Sequence, residues 1–123
     1  MGRVAMSWVK ALSARELGDS ERKVVQVGGQ KILLVNLKGK VYAVDSTCPH
    51  MGASLARGEV SDDGLITCPW HGSSFRLESG EVQSWTPRPP LVGRLLGLLR
   101  KKKQLRVYPA KVEGGSVWVD VEQ

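Results

Sequence analysis

All of the cysteine and all of the histidine in this 123-residue chain fall in two short runs, Cys48-Pro49-His50 and Cys68-Pro69-Trp70-His71, with 17 residues between them. Thiolates and neutral imidazoles are both good ligands for transition metals. Chance placement of four scarce residues into two matched pairs is improbable, so a bound metal is the economical reading. Each pair stands beside proline and glycine (Gly52 and Gly72). That composition holds side chains convergent on loops and lets backbone approach closely. Three other uses of these residues compete. A Cys48–Cys68 disulfide is one, and a reducing cytoplasm opposes it. Buried, inert cysteines with incidental histidines are another. The third is a structural zinc held by two thiolates and two imidazoles, for which the C-x-H spacing of the first pair is unusual. An iron–sulfur cluster is favoured over all three. No nucleophile–base pair and no paired carboxylates point to catalysis beyond redox chemistry.

Loops of this kind need a rigid scaffold, and the rest of the chain reads as short β-strands. The composition is that of an ordinary globular domain, 41% hydrophobic and 24% charged. Period-2 alternation and turn signals predict a first strand over Ser7–Leu12. A helical turn within Ser13–Asp19 follows, with Ser13 as N-cap and Glu16 closing a capping box. Lys23–Val27 and Lys31–Leu37 flank Gly28-Gly29-Gln30 as a hairpin. Lys38-Gly39 turns the chain into Val41–Val44. Further hairpins are expected around Asp62-Asp63-Gly64 and Glu78-Ser79-Gly80, and around Gly114-Gly115 between Arg106–Val112 and Val117–Val121. With no βαβ pattern, the expected class is all-β, an antiparallel sandwich or partial barrel in a single domain, 1–123.

The net charge of +6 is local. Residues 88–106 hold seven basic residues (Arg88, Arg94, Arg100, Lys101, Lys102, Lys103 and Arg106) and no acid, leaving 11 basic against 12 acidic residues elsewhere. No aromatic residue is interleaved with these charges, so nucleic acid is not an expected partner. In the same stretch Leu91, Val92, Leu95, Leu96 and Leu99 fall on one helical face, with Pro90 at the N1 position and the lysines at the C-terminal end. Gly93 and Gly97 each weaken such a helix by roughly 1 kcal/mol. Three roles compete for Leu91–Lys103: a helix packed on its own domain, a protein-docking element, and a membrane-surface helix. The segment is too short to span a bilayer. Met1–Val9 carries no twin arginine and no long apolar stretch, and Met6 stands where a myristoylation signal needs Ser or Thr. The expected compartment is the cytoplasm.

Cys48-Pro49-His50-Met51-Gly52-Ala53 followed by Cys68-Pro69-Trp70-His71-Gly72-Ser73 resembles the signature of the Rieske 2Fe–2S family. The hairpins before Cys48, the turn at Ser79–Val82 and the closing hairpin within Val107–Val121 are similar to small Rieske ferredoxins. Only residues 91–103 lack a counterpart. The resemblance implies a Rieske-like antiparallel fold with a small cluster-binding subdomain of two ligand loops (about 46–86) and a short inserted helix (about 90–104). It implies one 2Fe–2S cluster per chain, with Cys48 and Cys68 holding one iron and His50 and His71 the other. Replacing two anionic thiolates by neutral imidazoles raises the potential above that of all-cysteine clusters, and the added electron is expected on the histidine-bound iron. The implied role is a soluble electron carrier, not an enzyme, relaying one electron from a flavin reductase to a terminal non-haem iron oxygenase. A small subunit resembling that of nitrite reductase is an alternative within the family. A zinc-stabilised interaction module is an alternative outside it.

Rieske proteins of respiratory complexes carry two further cysteines that form a disulfide; here those positions are Ala53 and Trp70. They also place a serine and a tyrosine as hydrogen-bond donors toward sulfur, where this chain has Ser73 and Phe75. One hydroxyl of the two is present, which predicts a potential between that of ferredoxins lacking both and that of the respiratory proteins. Trp70 is expected to shield the cluster or pack beneath it. Pro87, after Trp85-Thr86, falls where the family has a proline-rich loop covering the cluster.

Overall fold

The computed structural model describes residues 8–49, 54–69, 72–84 and 104–121. Among these residues the chain forms eleven β-strands and two 3₁₀ turns, and it divides into two compact units. One comprises residues 1–45 with 107–123, the other residues 46–106.

In the first unit β1 (Trp8–Ser13) leads into a 3₁₀ turn at Ala14–Glu16. The Ser13 N–H donates to Glu16 Oε2 at 3.1 Å, the return bond expected of the capping box. A meander follows: β2 (Arg22–Val27), β3 (Gln30–Leu37) and β4 (Lys40–Asp45). The first of its two connections is shorter than the expected Gly28-Gly29-Gln30 loop. Val27 pairs directly with Gln30, so the first loop is Gly28-Gly29 alone, at φ +57° and +80°. Positive φ at both central residues is what a type I′ turn requires to match the twist of its strands. The second loop, Lys38-Gly39, puts a lysine at φ +54°, an unfavourable conformation for a residue with a side chain. Two bonds hold it: Lys38 N–H to Asp19 Oδ1 at 2.8 Å and Gly39 N–H to Asn36 Oδ1 at 3.2 Å.

The stretch expected as one strand over 106–112 is two. β9 (Val107–Tyr108) pairs with β4, and β10 (Ala110–Glu113) pairs with β11 (Ser116–Asp120). Pro109 lies at the break. It has no N–H to give to a ladder, but its carbonyl accepts from Asp120 N–H at 3.0 Å. The chain therefore changes from the sheet ordered β2-β3-β4-β9 to the sheet ordered β1-β11-β10. Alternation then directs one face of each sheet to a shared core. Leu34, Ala43 and Tyr108 stand in one row across β3, β4 and β9. Leu12, Val117 and Val119 come from the other sheet. Each fully buried aliphatic side chain of this kind contributes about 1.5–3 kcal/mol.

The second unit is built on shorter strands: β5 (Glu59–Val60), β6 (Leu65–Thr67), β7 (Ser74–Arg76) and β8 (Val82–Ser84), antiparallel and in that order. Ile66 and Phe75 face each other across β6 and β7, and both are fully buried. Leu55, Leu77 and Leu105 are buried as well. Leu105 N–H donates to Gly80 O at 2.8 Å, which fixes the chain where it returns after residue 103. The helix expected over about 90–104 lies outside the described residues. No helix among those described is long and apolar enough to cross a membrane. Predominantly antiparallel β-structure with small 3₁₀ insertions agrees with the expected class.

Candidate metal centre

Both cysteines lie in the second unit, each at the start of a loop whose base is closed by backbone bonds. The first loop leaves β4 at Ser46. It is pinched by an isolated antiparallel bridge between Thr47 and Ser54, and by Leu55 N–H donating to Ser46 O at 2.8 Å. Ser54 then caps a 3₁₀ turn over Leu55–Arg57, its Oγ accepting from Ala56 N–H at 3.3 Å. Cys48 is the first residue inside the pinch.

The second loop joins β6 to β7 and closes above the Thr67–Ser74 pair. Cys68 N–H donates to Ser73 O at 2.7 Å, and Gly72 N–H donates to Cys68 O at 3.1 Å. This tight return puts Gly72 at φ +81°, left-handed backbone that glycine adopts without a steric penalty. Two loops of similar construction thus present one cysteine each from the same point, the first residue past the closing pair.

Neither cysteine is in a disulfide, and each is 1% exposed. The disulfide weighed from sequence is therefore not formed. A pair of buried thiols can remain inert and neutral, or ionise beside a metal whose positive charge offsets the loss of water. A thiolate is the form that binds metal. Two buried, unbridged sulfur donors on two closed loops suit an iron–sulfur centre, so the donor chemistry present fits the expected group.

Ser73 is fully buried directly before β7, and its carbonyl is the one bound by Cys68 N–H. Its backbone is therefore in contact with that of a proposed ligand. Phe75 is fully buried opposite Ile66, which makes the position of the absent tyrosine part of the apolar core of this unit. His50, His71, Trp70 and Pro87 lie outside the described residues, as does Leu91–Lys103. The residue that motif spacing missed is Gly58. It stands between the first loop's 3₁₀ turn and β5, and an added Cβ there would fall 2.2 Å from the carbonyl oxygen of Thr67 in β6. An isolated glycine at the start of a strand is the signal for such a close approach.

An antiparallel scaffold carries two closed loops with a buried cysteine on each, a β-domain that offers two sulfur donors to a metal centre. The sequence profile of the Rieske [2Fe-2S] domain matches residues 7–109, and the chain belongs to that family. It is 31% identical over 117 residues to the ferredoxin component of the alkene monooxygenase system of Xanthobacter autotrophicus, an alignment spanning 95% of this chain and 84% of that protein. Among solved structures, the ferredoxin of carbazole 1,9a-dioxygenase from Nocardioides aromaticivorans superposes with a TM-score of 0.75 at 21% identity, covering 94% of this chain and 99% of that one. A ferredoxin seen in complex with the oxygenase of carbazole 1,9a-dioxygenase gives a TM-score of 0.73 at 27% identity, covering 94% of both chains. The chain is thus a Rieske-type ferredoxin, an electron-transfer protein with a binding site for a 2Fe–2S cluster.

Proposed function

We propose that this ferredoxin carries single electrons from a flavin reductase to a non-haem iron oxygenase, with Cys48 and Cys68 holding one iron and His50 and His71 the other. The observation that carries the ligand assignment is the pair of buried cysteines, not joined in a disulfide, at equivalent points of two closed loops. The partner reading is supported by relatives that serve in monooxygenase and dioxygenase systems, one of them in complex with its oxygenase. When bound, the cluster takes up and releases one electron at a potential above that of all-cysteine centres. The chain's own residues do the rest. Cys48 and Cys68 are excluded from water, which protects the sulfurs from solvent and oxidant. The bonds at the loop bases hold both cysteines in place without help from the metal, which keeps rearrangement on electron transfer small. Ser73 is proposed to donate its hydroxyl toward a cluster sulfur.

The site of action is the cytoplasm, in keeping with unbridged cysteines. Leu91–Lys103 is proposed to help dock an acidic protein partner. The run of seven basic residues in 88–106, with no acid among them, supports this.

Chemical analysis and turnover test the proposal together. Anaerobically purified protein is expected to contain iron and labile sulfide in equal amounts. After dithionite it should show the paramagnetic spectrum of a mixed-valence pair. It should also restore substrate oxidation when added to a flavin reductase and an oxygenase from its own gene neighbourhood. Colourless protein containing zinc and no sulfide would refute the cluster and favour the zinc-stabilised module instead.

A further inference from the structure

Gly58 poses a question that its own backbone does not answer. It follows the 3₁₀ turn Leu55–Arg57 at φ −73° and ψ 155°, an extended conformation open to any residue. Glycine is therefore not needed there for conformational freedom. What it provides is space. A Cβ at this position would lie 2.2 Å from the carbonyl oxygen of Thr67, 3.2 Å from its carbon and 3.3 Å from Leu55 O. All three are backbone atoms and cannot rotate aside. At Gly18 and Gly28, by contrast, an added Cβ meets only side-chain atoms.

The carbonyl that Gly58 accommodates belongs to the peptide joining Thr67 to Cys68. On its other side, Gly58 N–H donates to Leu55 O at 2.9 Å, and Leu55 N–H is bonded to Ser46 O at 2.8 Å. The bridge Thr47–Ser54 lies within the same closure, and Cys48 is the next residue. A short chain of backbone contacts thus runs from one cysteine to the other through Gly58.

We propose that Gly58 is a positioning residue: its lack of a side chain lets the Thr67–Cys68 peptide seat against the base of the first loop, and this contact sets the separation of Cys48 and Cys68. The inference rests on the reading of these cysteines as cluster ligands. Spacing is then a property of the folded chain and does not wait for the cluster. Any side chain at position 58 moves one loop base relative to the other.

The test compares the full-length protein with Gly58→Ala and Gly64→Ala, each reconstituted with ferrous iron and sulfide. Gly64 lies in the β5–β6 connection at φ +90° with open space around its Cβ position. Alanine there strains the same hairpin without pressing on Thr67. Gly58→Ala is expected to shift the g-values of the reduced protein and its midpoint potential. Gly64→Ala is expected to lower the melting temperature while keeping the wild-type spectrum and potential. An unshifted spectrum and potential in Gly58→Ala, or equal shifts in both variants, would overturn the proposal.

Should Gly58→Ala not fold, hydrogen exchange on cluster-free wild-type protein decides. The Gly58 and Cys68 amides are expected to stay protected, because the fold and not the cluster holds them. Exchange at the rate of an exposed loop amide would overturn the idea. Failure of the wild type to take up iron and sulfide would refute the ligand assignment itself, a result separate from any difference between the variants.

Discussion

Cys48 and Cys68 are the proposed sulfur ligands, and burial bears on that role as much as sulfur does. Each is 1% exposed, so a metal held there would be screened from water on the cysteine side. Cys48→Ala and Cys68→Ala are each expected to abolish cluster assembly, seen as loss of labile sulfide and of the visible absorption of the oxidised protein. Ser73 acts, if its hydroxyl reaches sulfur, on energy rather than on assembly. A donor to sulfur favours the more negative, reduced cluster, so its loss disfavours reduction and lowers the potential. One neutral hydrogen bond is worth about 0.5–1.5 kcal/mol, which for a single electron corresponds to roughly 20–60 mV. Ser73→Ala is therefore expected to lower the midpoint by that amount with the cluster intact, checked by redox titration. An unchanged midpoint would show that the Ser73 hydroxyl does not act on the cluster.

The elements divide the work between stiffness and presentation. β3 and β4 form a six-pair ladder, whereas β5 and β6 share only two pairs. Stability of the second unit therefore leans on a few side chains. Phe75→Ala is expected to cost about 3–5 kcal/mol, read as a lower denaturation midpoint together with faster loss of cluster. In the first unit Gly39, at φ +85° with nothing near its Cβ position, offers a clean test of backbone strain. Gly39→Ala is expected to cost about 1–2 kcal/mol by chemical denaturation, with the midpoint potential unmoved. Most of these elements were legible beforehand, because alternation and glycine-bearing turns are local signals. The break at Pro109 was missed. Pro109 is a local sign of interruption, but nothing local says that the partner strand changes there from β4 to β11.

At the scale of the whole molecule, charge is concentrated where partners are proposed to meet. Seven of the 18 basic residues lie in 88–106, with no acid among them. A basic segment steers an acidic partner in a salt-dependent way. Replacing Lys101, Lys102 and Lys103 by alanine is expected to slow reduction of the oxygenase several-fold at low ionic strength. The difference should shrink as salt rises, and the midpoint potential should stay the same. Stopped-flow measurement across ionic strength checks this. Co-sedimentation of the protein lacking residues 91–103 with anionic vesicles tests the membrane alternative, and binding equal to that of the intact chain would exclude it.

The Rieske family, its cluster type and the strand-rich class could be read from the chain alone, because metal chemistry restricts candidate donors to a few residue types and strand alternation is written locally. Tertiary structure decided what depends on contacts distant in sequence. It showed that both cysteines are buried and unbridged, that Phe75 belongs to an apolar core, and that the strand after residue 106 divides between two sheets. It also showed that Gly58 lies against the peptide preceding Cys68. Burial and close backbone approach are relations between segments. No single segment carries enough information to specify them.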